Sequence, residues 1–204
     1  MKSISKEDYI FNMLRLENVS VKRTSIPLLL NRQTVYDISA DEISKIDNIL
    51  NAFKYVFSKV AVLNYKEICT INSIVDYGRD DFSEGKIRKT PVQISGTNWK
   101  PLIPNEEQLK NELSYVLGIS DTVDRSIEML LFLMKTQMFA DGNKRTAQFF
   151  SAEMLENERL IISVPLHMQK QFSRFLLNYY ENEKYKGQIK EFVKTYAVFE
   201  RKDF

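Results

Sequence analysis

The residues richest in chemistry run from Gln137 to Ala147, reading Gln-Met-Phe-Ala-Asp-Gly-Asn-Lys-Arg-Thr-Ala. Ala140 to Asn143 reads as a tight loop, and a helix is expected to begin near Lys144. Free amides at a helix start point into such a loop, and the helix dipole favours negative charge there. Gly142 can take positive φ and let a ligand approach the main chain. Asn143, Lys144 and Arg145 add donors and positive charge. Asp141 is a hard oxygen donor suited to Mg²⁺ shared with phosphate oxygens. Phe139 is expected to point inward and anchor the loop. The chemistry suggested is the binding of a Mg-nucleotide. A lone Asp-Gly-Asn would sooner be read as a helix cap followed by solvated cations, so the longer string matters.

The elements that must position this loop read as helices. Six glycines and five prolines among 204 residues give little punctuation, which favours long helices over many short strands. Ser5 with Asp8 is expected to cap a first helix carrying Ile10, Met13, Leu14 and Glu17, over about 6–18. Ser39 with Glu42 forms a capping box. It opens a run in which Ile43, Ile46, Ile49, Leu50, Phe53, Val56, Phe57 and Val60 recur every three or four residues. Asn64 with Glu67 begins a third helix through Ile68, Ile71 and Ile74, ended by Gly78. Pro101 and Pro104 precede a helix starting at about Asn105. Thr122 to Gln137 is mostly apolar all round and is expected to be the central buried helix. A helix from near Lys144 to about Asn157 follows the loop. Two more carry Phe172, Phe175, Leu176 and Tyr179, then Ile189, Phe192, Val193 and Tyr196. Alternating apolar positions and turn residues from Gly85 to Trp99 predict a short projecting β-hairpin.

The loop resembles the signature of the Fic family, His-x-Phe-x-(Asp/Glu)-Gly-Asn-(Gly/Lys)-Arg-x-x-Arg. Phe139, Asp141, Gly142, Asn143, Lys144 and Arg145 match it. The segment 85–99 is similar to the family's flap, which holds a target segment by strand addition. Arg174, Tyr179, Tyr180 and the run from Gly187 to Tyr196 resemble the family's C-terminal end. The resemblance implies an all-α, Fic-type helical bundle with a short β-hairpin flap, as a single domain over 1–204. It also implies a protein adenylyltransferase, moving AMP from ATP to a Ser, Thr or Tyr hydroxyl of a protein and releasing pyrophosphate. By resemblance Asp141 holds Mg²⁺. Gly142, Asn143, Lys144, Arg145 and the residue at 148 bind the phosphates. Thr90, Val92, Gln93 and Ile94 of the flap align the target. Auto-modification is also open. Asn178 and Tyr179 are candidates for adenine contact by position.

Three departures qualify the resemblance. Gln137 stands where the family has the histidine that takes the target's proton. An amide accepts a hydrogen bond but not a proton near neutral pH, and loss of a positioned base costs about 10² to 10⁴ in rate. His167, the only histidine, lies in another predicted helix and reads as structural or surface-exposed. Gln148 replaces a second arginine that grips the terminal phosphate. Met13 to Asn18 resembles the family's inhibitory helix, (Ser/Thr)-x-x-x-Glu-(Gly/Asn), matching at Glu17 and Asn18 but not at Met13. The run from Leu16 to Ser20 is similar to small clostridial Fic proteins with a degraded inhibitory helix. With Gln148 opposite, Glu17 is expected to find no guanidinium, so autoinhibition is expected to be weak. The other reading makes Glu17 one more exposed helical acid.

Composition bounds the rest. The chain is 44% hydrophobic and 27% charged, with a formal net charge of +2 and interspersed signs. No basic stripe argues for nucleic acid, and no apolar run is long enough for a membrane span. Cys69 is the only cysteine, so no internal disulfide forms, and the chain is read as cytoplasmic. Family members often dimerise through helix faces, which leaves a homodimer open. Two rivals to adenylyl transfer remain. One is a non-catalytic nucleotide-binding module, supported by Gln137. The other is a kinase of the Doc branch, which shares the Asn-Lys-Arg-Thr-Ala form but usually has Ala at the position of Gly142.

Overall fold

A computed structural model describes residues 2–36, 38–78, 83–202 and 204. The first strand, β1 (Ser3–Ser5), runs directly into helix α1 (Lys6–Leu16). Ser5 is extended, and its hydroxyl accepts the Asp8 amide at 3.2 Å, the expected cap. After α2 (Ile26–Leu30), helix α3 (Ala40–Phe57) opens on the expected capping box, with both Ser39–Glu42 bonds present. Helix α4 (Tyr65–Val75) is capped by Asn64, and α5 (Glu106–Leu117) by Asn105. Helix α6 (Thr122–Thr136) precedes the motif loop, and α7 (Asn143–Met154) follows it. Strand β2 (Leu160–Ile162), helices α8 (Gln169–Glu181) and α9 (Lys186–Tyr196), and strand β3 (Val198–Lys202) complete the chain. The fold is the expected all-α type. Among the described residues, no helix is long and apolar enough to cross a membrane.

Three features differ from the sequence reading. The central helix is α7 rather than α6: every α7 residue except Lys144 is buried, whereas α6 buries one broad face. Polar residues disguise α7, and several of them have buried partners. The Ser151 carbonyl accepts the Ser126 hydroxyl at 2.7 Å, and the Glu153 carboxylate receives the Val62 amide at 2.7 Å and the Lys59 ammonium. The second difference is a small sheet in the order β1-β3-β2. In it β1 runs parallel to β3 and β2 antiparallel, with Ile4 opposite Arg201 and Ile161 opposite Phe199. Strands of three to five residues are too short to display a period-two pattern.

The predicted hairpin is also absent. Residues 85–99 are extended and turned, with no strand paired between them. Their polar groups are taken elsewhere: the Arg88 amide donates to the Met138 carbonyl at 3.0 Å, and Pro91 has no amide to give. This segment therefore lies along the motif loop instead of folding on itself.

Candidate nucleotide cleft

Helix α6 ends because Gln137 adopts the left-handed conformation, φ 49° and ψ 58°. The loop then closes through Asn143, whose side chain accepts the Phe139 amide at 2.9 Å and donates to the Phe139 carbonyl at 2.8 Å. Phe139 is buried, as expected of an anchor. Gly142 has φ +75° and caps α7. A Cβ there would lie 3.0 Å from Asn72 Nδ2 and 3.2 Å from Val75 Cγ2, so glycine is required by backbone and by space together.

Buried Asn72, on α4, joins three pieces of the site. Its amide nitrogen donates to the Asp141 carbonyl at 3.0 Å and to the Thr146 hydroxyl at 3.2 Å. Its oxygen accepts the Gly85 amide at 2.9 Å, fixing where the flap begins. The sequence reading missed it, because an asparagine on a helix carries no motif. Arg88 was missed as well: its guanidinium donates to the Gln137 carbonyl at 2.6 Å and to flap carbonyls. At the far end of the flap, Trp99 stacks on Tyr180 with ring centroids 5.1 Å apart.

Between the flap and the motif loop lies a cleft of about 420 Å³. It brings together Gln137, Asp141, Asn143 and Lys144 from the motif, and Val92, Gln93 and Ile94 from the flap. Glu17 and Asn18 close it from the end of α1, and Phe172, Leu176 and Tyr180 of α8 supply an apolar wall. Other expected site residues do not line this cleft. The Thr90 carbonyl is held by Arg88 at 2.8 Å. Gln148 is buried, with its amide on the Lys144 carbonyl at 3.3 Å. Tyr179 faces the other side, under the Lys135 ammonium, so Tyr180 rather than Tyr179 borders the cleft, and Asn178 is not among its walls. His167 is exposed in a short turn away from the cleft.

Charge in the cleft is arranged around Arg145. Its guanidinium meets Asp141 at 3.2 Å, Glu17 at 3.4 Å and Asp76 at 3.6 Å, and donates to the Val75 carbonyl. Glu17 also meets Lys144 at 3.3 Å, and Lys144 donates to the Leu16 carbonyl at 3.2 Å. The expectation that Glu17 lacks a guanidinium is thereby corrected: Arg145, not the residue at 148, is its partner. Glu17 is neither exposed nor solvated; its side chain is 10% exposed. The carboxylate of Asp141 accepts the Gly142 amide at 2.6 Å yet stays 57% exposed at the cleft rim.

Gln137 itself is engaged. Its amide donates to the Met134 carbonyl at 2.6 Å, and Tyr180 lines the same cleft. Burial raises the Tyr180 pKa well above the ordinary phenol value, only partly offset by the nearby Gln137 amide, so this hydroxyl stays neutral at physiological pH.

Residues 62–155 match the Fic/DOC family. No curated protein matches the chain. Among solved structures, the chain is similar to Fic-1 (residues 134–508) from C. elegans, with a TM-score of 0.72 at 18% identity over 91% of this chain. It spans 57% of that protein's length. A Fic domain containing signaling protein from Bacteroides thetaiotaomicron gives 0.71 at 16% identity, covering 84% of this chain and 70% of that one. BepC, a VirB-translocated effector of Bartonella tribocorum solved with bound AMPPNP, gives 0.57 at 14% identity, covering 76% and 84%. At these identities the likeness is one of fold. The matched segment contains the loop from Gln137 to Arg145, and it is over residues 62–155 that this chain is similar to the Fic/DOC family.

Proposed function

We propose that the cleft binds ATP with Mg²⁺, and that the chain is a protein adenylyltransferase whose transfer step is impaired at Gln137. The observation that carries this reading is the convergence of the α7 N-terminus, Lys144 and Asp141 on one cleft walled by Val92 to Ile94. Helix amides and an ammonium attract phosphate oxygens. The apolar wall of Phe172, Leu176 and Tyr180 suits a nucleobase face. The bound AMPPNP of BepC supports a triphosphate ligand. A single half-exposed carboxylate, Asp141, suits an ion that takes its other ligands from phosphate and water. Bound there, Mg²⁺ would neutralise phosphate charge.

Adenylyl transfer joins a target hydroxyl oxygen to the α-phosphorus as the bond to the pyrophosphate oxygen breaks. Lys144 and the first amides of α7 orient the phosphates, and residues 92–94 align the target. The hydroxyl proton needs an acceptor. The Gln137 amide cannot be one, Tyr180 is neutral, and the cleft carboxylates Glu17 and Asp141 are paired with cations. The rate is accordingly lower by about 10² to 10⁴ than with a base in place. Glu17 holds the cations that would meet phosphate, so it competes with the nucleotide.

The contact of the Gln137 amide favours a second reading, a nucleotide-dependent binding module, because it ties the side chain to the end of α6. Restoring the base separates the readings. The Gln137→His variant is supplied with ATP labelled at the α- or γ-phosphate. Label from the α position on protein supports adenylyl transfer. Label from γ alone indicates a Doc-like kinase, and nucleotide binding with neither label indicates the module. Calorimetry that finds no ATP uptake with Mg²⁺ present ends both leading readings.

A further inference from the structure

We propose that Arg88 is a positioning residue that makes the flap and the base position move as one unit. This rests on reading the cleft as a transfer site. Arg88 is 4% exposed. Its Nε donates to the Gln137 carbonyl at 2.6 Å, Nη1 to the Thr90 carbonyl at 2.8 Å, and Nη2 to those of Leu102 at 2.6 Å and Pro101 at 3.4 Å. Its own amide reaches the Met138 carbonyl at 3.0 Å. One rigid fork thus grips the residue at the base position and both stems of the segment whose middle, Val92 to Ile94, walls the cleft.

Three points favour this role over simple packing. Every acceptor is a main-chain carbonyl, so the grip fixes backbone paths and is indifferent to the side chains at 90, 101, 102 and 137. A buried charge is costly unless its donors are satisfied, and burial lowers the Arg88 pKa; a guanidinium here is explained by its geometry rather than its charge. A lysine cannot reproduce the fork, since it offers donors from one point. A second contact runs in parallel: Trp99 stacks on Tyr180, which lines the same cleft as Gln137. Trp99 is the only tryptophan, so its emission reports the flap directly.

The test compares Arg88→Met and Arg88→Lys, each alone and combined with Gln137→His. On the chain alone, Arg88→Met is expected to shift Trp99 emission and to speed amide exchange at 89–102 and 137–138, with Arg88→Lys between it and the parent. In the base-restored pair, α-phosphate labelling is expected to fall about 10²-fold for Arg88→Met, since a misplacement of about 1 Å costs that much. The ATP dissociation constant, by calorimetry with Mg²⁺, is expected to change less than about threefold, which separates positioning from uniform loss of binding. Unchanged emission and exchange, or labelling within about threefold of the Gln137→His parent, overturns the proposal. Should Gln137→His transfer no label, the transfer reading fails, while emission and exchange still decide the role of Arg88. Should Arg88→Met fail to fold, Arg88→Lys is measured in its place, and the same outcomes support or overturn the role.

Discussion

The carboxylate of Glu17 and the ammonium of Lys144 lie 3.3 Å apart within a cleft that invites phosphate. Neutralising that carboxylate should release Lys144 to an incoming polyanion. For Glu17→Gln, ATP binding is expected to tighten by roughly threefold to thirtyfold, from removal of a like charge near the phosphates. Calorimetry at low and moderate salt checks this, and unchanged or weaker binding would refute the competition. Cys69 offers a quieter check. Burial pushes its thiol above the ordinary value, so less thiolate is present at any given pH. Alkylation by iodoacetamide at pH 8 should be slower in the folded chain than in denaturant, and equal rates would contradict the placement. At this scale the motif residues were legible because their types and spacing carry the chemistry. The pairing of Glu17 was not, since which guanidinium it meets depends on how α1 approaches α7. Asn72 and Arg88 were hidden for a related reason: each acts on main-chain groups far away in sequence, and such contacts leave no local pattern.

Helices α3, α4 and α5 begin where Ser39, Asn64 and Asn105 announce them, because a cap is a local event written in three or four residues. Replacing Ser39 with Ala should cost about 1 kcal/mol by removing the capping box. A shift in urea midpoint at unchanged slope would show it. Gly142→Ala is a harsher case, combining φ +75° with a Cβ only 3.0 Å from Asn72 Nδ2. A loss of about 1–3 kcal/mol is expected from strain of this kind, with weakened ATP binding measured alongside. A variant of parental stability and affinity would show that the loop does not need glycine. The flap illustrates the opposite limit. Alternation of apolar residues from Gly85 onward reports an extended chain but not its partner. The partner here is the motif loop and the Arg88 fork, and only the fold could supply it.

Across the whole molecule, the buried centre of α7 depends on a charge cluster. Glu153, whose side chain has no exposure, pairs with Lys59, which also meets Glu67 at 3.2 Å. Removing Lys59 would strand two carboxylates. Lys59→Met is therefore expected to destabilise the fold by about 2–4 kcal/mol, somewhat below a fully buried pair because Lys59 is 22% exposed. Chemical denaturation checks this, and a neutral result would mean that the carboxylates escape to water. Burial raises the Glu153 pKa despite its bond to Lys59, so the folded chain holds that proton more firmly than the unfolded one. Its contribution should thus diminish as pH rises from the ordinary carboxylate value through the raised one. The all-α class was legible from periodicity and sparse glycine and proline. The sheet joining the two ends was not, because its pairing is set by the arrival of β3 after all helices are placed.

The seat at position 137 is made of backbone: a left-handed turn at φ 49° and a carbonyl held by a guanidinium. Histidine is among the residues that tolerate that turn best outside glycine. Glutamine and histidine codons differ at a single nucleotide. Under the transfer proposed above, a lineage carrying this fold can therefore silence or revive its proton acceptor in one mutational step, with no scaffold to rebuild on either side of the change.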